Sequence, residues 1–187
     1  MKLATARLWV SLGLVLACAW PSSWAQKPTV HNTQSPRVDL MISEWLRAKD
    51  WTLKYIDAMP EQDFGFKPVP EVRNFAEQML HLAYWNYGFN AKVFGKPMPF
   101  SEEQLMNGDY KTKAALEKVV ADSYDFVING LRLLPEKQLE QQVTIRPGMA
   151  QTRAERLSDS YEHQTHHRGQ TVAYLRLKGV VPPPEPF

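Results

Sequence analysis

The chain has 187 residues, 44% of them hydrophobic and 22% charged, with a formal net charge of +2. That length suffices for one domain with a substantial core, and no cluster of Lys and Arg forms the basic stripe of a nucleic-acid-binding face. The single cysteine, Cys18, excludes an internal disulfide framework.

Residues 1–25 have the pattern of a secretory signal peptide. Lys2 and Arg7 form a positive start, Leu8 to Trp20 is a short apolar run, and Ser23-Trp24-Ala25 offers small residues for cleavage. The apolar run is too short to span a bilayer comfortably. Val15-Leu16-Ala17-Cys18 also resembles a lipobox, with Leu16 an imperfect fit, so cleavage after Ala25 is the preferred reading. Lys2 and Arg7 are the only charged residues of this segment, so the expected mature chain is formally neutral and carries no thiol nucleophile. The expectation is an exported protein, periplasmic or secreted, with no transmembrane helix after processing.

Residues 26–36 are polar and proline-containing, a linker in which His31 is expected to be solvated. Ser35-Pro36 reads as an N-cap followed by proline at the first helical position. From Arg37 to Met59 apolar residues recur at helical spacing until Pro60 ends the run. Pro60 to Arg73 is a loop. Asn74-Phe-Ala-Glu77 has capping-box spacing and opens a second helix to about Phe94, apolar nearly all round and therefore expected to be buried among several neighbours. Ser101-Glu-Glu-Gln104 has the spacing to cap one short turn. A third helix is expected from about Thr112 to Leu134, ended by Pro135. Gln138 to Met149 is expected to be irregular, with a turn at Pro147-Gly148 and no strand-period pattern. Thr152-Arg-Ala-Glu155 opens a fourth helix to about Lys178, followed by Gly179 and a stiff proline-rich tail over 181–187. Four long helices over 37–180 define an all-α four-helix bundle.

The fourth helix contains His163, His166 and His167. Its apolar stripe is set by Leu157, Tyr161, Val172 and Leu175. His163 and His167, one turn apart, flank that stripe together, whereas His166 falls nearly opposite. Such a pair supplies half of a tetrahedral metal site, or is simply a polar flank near the surface. His81 sits alone in the apolar stretch Met79-Leu-His-Leu-Ala83, where each ring nitrogen needs a partner. A backbone carbonyl would satisfy it, and so would a metal shared with the pair. Trp45, Trp51, Tyr84, Trp85 and Tyr87 are read as core more readily than as a ligand pocket.

Met79-Leu-His-Leu, then His163-Gln-Thr-His-His-Arg-Gly-Gln170 and Tyr174-Leu-Arg-Leu-Lys-Gly179 leading into Pro182-Pro183, resemble the DinB/YfiT-like family. The resemblance spans nearly the whole expected mature chain, including Phe66-Lys-Pro68. It implies up-down-down-up connectivity and a divalent metal at one end of the bundle, with His81, His163 and His167 as ligands. It also implies metal-activated thiol or water chemistry, as in thiol-S-transferases and hydrolases, and bundles of this type often form homodimers. Zinc or nickel suits three imidazoles best, with iron, manganese or cobalt as further candidates. Export favours water over thiol cofactors, which are kept in the cytoplasm. The competing reading is a bundle that binds metal or a small ligand without catalysis, in a stress-related role. Gly169 is expected to permit a close helix contact, and Arg168 and Gln170 to hydrogen-bond at the bundle end or behind the ligands. Glu162 is expected to be solvated, and no catalytic side chain is assigned.

Overall fold

Ser35 opens the first helix with the expected chemistry. Its side chain accepts from the Val38 amide, and Pro36 occupies the first turn, where its missing N–H costs nothing. The computed structural model describes residues 35–110 and 112–184. The expected signal segment with Cys18, His31, most of the expected linker and the last three residues lie outside that range.

The described elements are α1 (Pro36–Ala58), α2 (Phe75–Phe94), a short α3 (Glu102–Met106), α4 (Lys113–Leu133), β1 (Gln142–Arg146), β2 (Met149–Thr152) and α5 (Arg153–Leu177). The capping boxes at Asn74/Glu77, Ser101/Gln104 and Thr152/Glu155 all form. Gly95 and Gly179 end their helices in the left-handed region, at φ 62° and 73°.

Cross-helix pairs give the topology. Lys49 meets Asp125 while Lys113 meets Asp57, so α1 and α4 run antiparallel. Trp45 meets Tyr161 and Trp51 meets Arg168, so α1 and α5 run parallel. Tyr174 packs on Phe75 and Asn90 bonds Ser160, so α2 and α5 are antiparallel. The directions are therefore up, down, down, up. Among the long helices, α2 packs on both α4 and α5, and it buries Phe75, Met79, Leu80, Leu82, Ala83 and Val93. This accounts for its apolar character all round. Trp45 and Tyr87 are core residues, while Trp51, Tyr84 and Trp85 are half-buried.

Three sequence-based expectations need correction. Residues 142–152 form an antiparallel hairpin, in register Gln142↔Thr152 through Arg146↔Met149, with a bulge between Thr144 and Arg146. Pro147-Gly148, with Gly148 at φ 77°, supplies the turn. Neither strand buries a residue, so the strand pattern in the sequence is weak.

Gly169 is not a contact glycine, because a Cβ there meets nothing within 4 Å. The close approach is at Gly130 on α4, where a Cβ would collide with the Phe94 ring.

The stripe of α5 is also not centred on Tyr161 and Val172, which are only half-buried. Its middle is polar: Ser160, Gln164, Arg168 and Thr171 are buried there. These side chains find partners across the bundle and within α5, where Thr171 donates to the Arg168 carbonyl. Asn90 donates to Ser160 Oγ at 2.7 Å, and Gln164 Oε1 accepts from Tyr124 OH at 2.9 Å and from Arg168 at 2.8 Å. Ser160, Gln164, Arg168 and Thr171 are tolerated in the interior because each finds a partner.

Candidate metal centre

His81 enters the site from α2, and His163 and His167 enter from α5. The antiparallel pairing of these two helices brings the lone histidine level with the i,i+4 pair. Ring centroids lie 4.6 Å apart for His81–His167, 5.3 Å for His81–His163 and 4.4 Å for His163–His167. Each ring offers one nitrogen to a set whose members all lie within 4.8 Å of one another. One cation could reach all three. His166 points away, exposed, and contacts Gln170 at 2.8 Å.

His167 is 9% exposed, and the His81 side chain 12%. His167 Nδ1 is 2.9 Å from Gln78 Oε1. An amide oxygen only accepts, so this nitrogen carries the proton and Nε2 keeps its lone pair. The amide orientation is fixed in turn. Tyr174 OH donates to the Arg73 carbonyl at 2.7 Å, leaving its oxygen to accept from Gln78 Nε2 at 3.2 Å. The chain Arg73–Tyr174–Gln78–His167 therefore orients one imidazole from behind. His81 Nδ1 lies 3.4 Å from Glu102 Oε1, a carboxylate delivered by α3, without making a hydrogen bond. The Nδ1 atoms of His81 and His163 are buried and find no hydrogen-bond partner. Buried polar atoms without partners are costly, so these orphans fit a site whose remaining partner is a cation.

All three rings are held in the neutral form that a metal requires. Burial is the main cause throughout. It pushes His163 down to about 4, helped by His81, His166, Arg73 and Arg156. It pushes His167 down to about 3, helped by the neighbouring histidines and Arg73. His81 is lowered by burial and by Arg73, against an opposing pull from Glu102. Trp85 and Phe89 flank His163, with ring centroids 6.0 and 5.4 Å away, and pack apolar surface against its ring.

The other residues of the α5 motif do different work. Arg168 turns away toward α1, 4% exposed, and stacks over the Trp51 ring at 4.4 Å. Glu162 is exposed, as its sequence context suggests, and lies beside His163 in an open cleft of about 390 Å³. Gln78, Glu102 and Arg73 were not legible as site residues. Only Gln78 had a signal, since it stands three residues before His81 and so shares its helix face.

The fold and this histidine set define a helical-bundle protein with a candidate metal centre. The sequence profile of the DinB superfamily matches residues 44–171, and the chain belongs to that superfamily. A solved DinB-like protein from Bacillus cereus ATCC 10987 is 19% identical with a TM-score of 0.62, covering 79% of this chain and 96% of its own. A DinB-like protein from Bacillus subtilis, YjoA, is 20% identical with a TM-score of 0.60, covering 78% of this chain and 96% of its own. At these identities the likeness concerns the fold. No curated protein matches the chain.

Proposed function

We propose that this chain is an exported metalloprotein in which His81, His163 and His167 hold one divalent cation, zinc or nickel, and leave a position open for a small molecule. The observation that carries the reading is the meeting of three neutral imidazoles from two helices, two of them with orphaned buried Nδ1 atoms. Three protein ligands rather than four is the pattern of a site that does chemistry. When bound, the cation supplies a Lewis acid that makes a nearby water or thiol a better nucleophile at neutral pH.

The protein's own groups have separate tasks. Gln78 holds His167 in the tautomer that presents Nε2, and Glu102 places a negative charge beside His81. Trp85 and Phe89 hold the His163 ring by packing against it. Water is favoured over a thiol as the nucleophile because the signal segment directs the chain away from cytoplasmic thiols, so a hydrolase is preferred to an S-transferase. Export also leaves the mature chain free of membrane spans, in keeping with the described helices, none of which is long and apolar enough to cross a bilayer.

Elemental analysis of purified protein tests the reading. About one divalent ion per chain is expected, lost in His81→Ala while the circular dichroism of the bundle is kept. Unchanged metal content in that variant would remove the assignment. In a cobalt-substituted form, a spectrum that does not respond to added small ligands would leave metal binding without catalysis.

A further inference from the structure

Beside the three histidines lies a cleft of about 510 Å³ whose walls include Lys67, Arg73, Gln78, His167 and Gln170. It reaches the centre from the His167 side. The Arg73 guanidinium makes no hydrogen bond or ion pair among the described residues, although it is near enough to disfavour protonation of all three imidazoles. Its backbone, by contrast, is fixed, because the Arg73 carbonyl is the acceptor that anchors the Tyr174–Gln78–His167 chain. An exposed, unpaired cation is thus tied by its main chain to the residues that orient a ligand histidine.

Two carboxylates share the cleft. Glu77 is committed to the α2 N-terminus, accepting from the Asn74 amide at 2.8 Å, and lies 3.8 Å from Lys67 Nζ. Glu71 is exposed. Arg73 is likewise exposed, but its carbonyl is anchored to the hydrogen-bonded chain behind His167, which neither carboxylate joins. The cleft on the His163 side has Asp159 and Glu162 in its walls, and its nearby cation, Arg156, lies over the Phe89 ring and 3.9 Å from Asp159. Arg73 is thus a cation free to meet an anion on the His167 side, whereas Arg156 on the other side already faces a carboxylate.

We propose that Arg73 anchors an oxyanion subsite in the His167-side cleft, so that the small molecule handled at the three-histidine centre carries a carboxylate or a phosphate group. This rests on the metal-centre reading above. The planar guanidinium can take two oxygens of such a group at once, and Lys67 and Gln170 offer further donors. Held there, the ligand presents its remaining atoms to His167 and the open position.

The test follows the histidine ring signals of zinc-loaded and metal-free protein by NMR at pH 7 while inorganic phosphate, and separately acetate, is added. A saturable shift at His167 is expected with at least one of them. Arg73→Ala should weaken that binding at least tenfold, and Arg73→Lys should recover part of it. Response to phosphate alone assigns a phosphate-bearing molecule, response to acetate alone a carboxylate, and response to both the shared oxyanion chemistry. No saturable shift with either anion, or equal affinity in Arg73→Ala, overturns the proposal. Elemental analysis of the same zinc-loaded sample separates the two readings. A sample that does not hold zinc removes the metal centre, and the metal-free titration still decides the subsite.

Discussion

Gln78 on α2 and His167 on α5 meet through a 2.9 Å contact between Oε1 and Nδ1, and this contact decides which nitrogen of His167 is free. Gln78 is itself 5% exposed and held by Tyr174, so the tautomer is set by a rigid, dry neighbour rather than by solvent.

Replacing Gln78 with Leu removes the acceptor and leaves His167 free to rotate and change tautomer. Metal affinity, read by competition with a chelator, is expected to fall about 10- to 100-fold, the usual loss for a partner behind a ligand histidine. Unaltered affinity would mean that His167 is oriented by packing alone.

The lowered histidines make the metal-free protein sensitive to acid. The folded-state values of about 4 for His163 and about 3 for His167 lie below the ordinary 6.5. Between those limits the unfolded chain binds more protons, so stability rises with pH. It is present in full above about pH 6.5 and is lost progressively as pH falls toward the folded-state values. Urea unfolding at pH 7 and pH 5 should show a smaller acid loss in the His163→Gln/His167→Gln double variant than in the parent. Equal losses would place the sensitivity elsewhere.

The two helix glycines are expected to respond oppositely to alanine. Gly169→Ala fills open space in α5 and should stabilise by up to about 1 kcal/mol, through helix propensity alone. Gly130→Ala drives a methyl group into the Phe94 ring and should destabilise. Thermal melts of the two variants check both signs.

Tyr124 lies fully buried between Thr52 and Gln164, its hydroxyl 2.8 Å from one and 2.9 Å from the other. Burial pushes its hydroxyl up to about 12, so it stays protonated and able to donate. Tyr124→Phe should cost about 1–3 kcal/mol in urea unfolding, because partners are left unsatisfied in the interior. Metal content should be unchanged, since this network reaches Arg168 rather than the three histidines.

The helices were legible because their signals are local. Each of the Ser35, Asn74, Ser101 and Thr152 caps lies within three residues of its partner, and prolines stop α1 and α4 nearby. His163 and His167 were legible for the same reason, and the apolar setting of His81 singled it out. What depends on the fold was not. Gln164 and Thr171 carry no sequence signal of burial but sit in the middle of the buried face, because Tyr124 and the Arg168 carbonyl satisfy them. The hairpin after α4 escaped because its strands bury nothing. Gly169 drew attention as a helix-interior glycine, but the steric requirement falls on Gly130, which only the packing of Phe94 reveals. Arg73 carries no sequence signal, being placed beside the histidines by the loop that precedes α2.

X-ray absorption at the metal edge of the purified protein tests the central claim most directly. The expected result is a divalent ion with three imidazole nitrogens at about 2.0–2.1 Å and one further light ligand that exchanges with added small molecules. Protein without metal, or a cation closed by a fourth side chain, would contradict it.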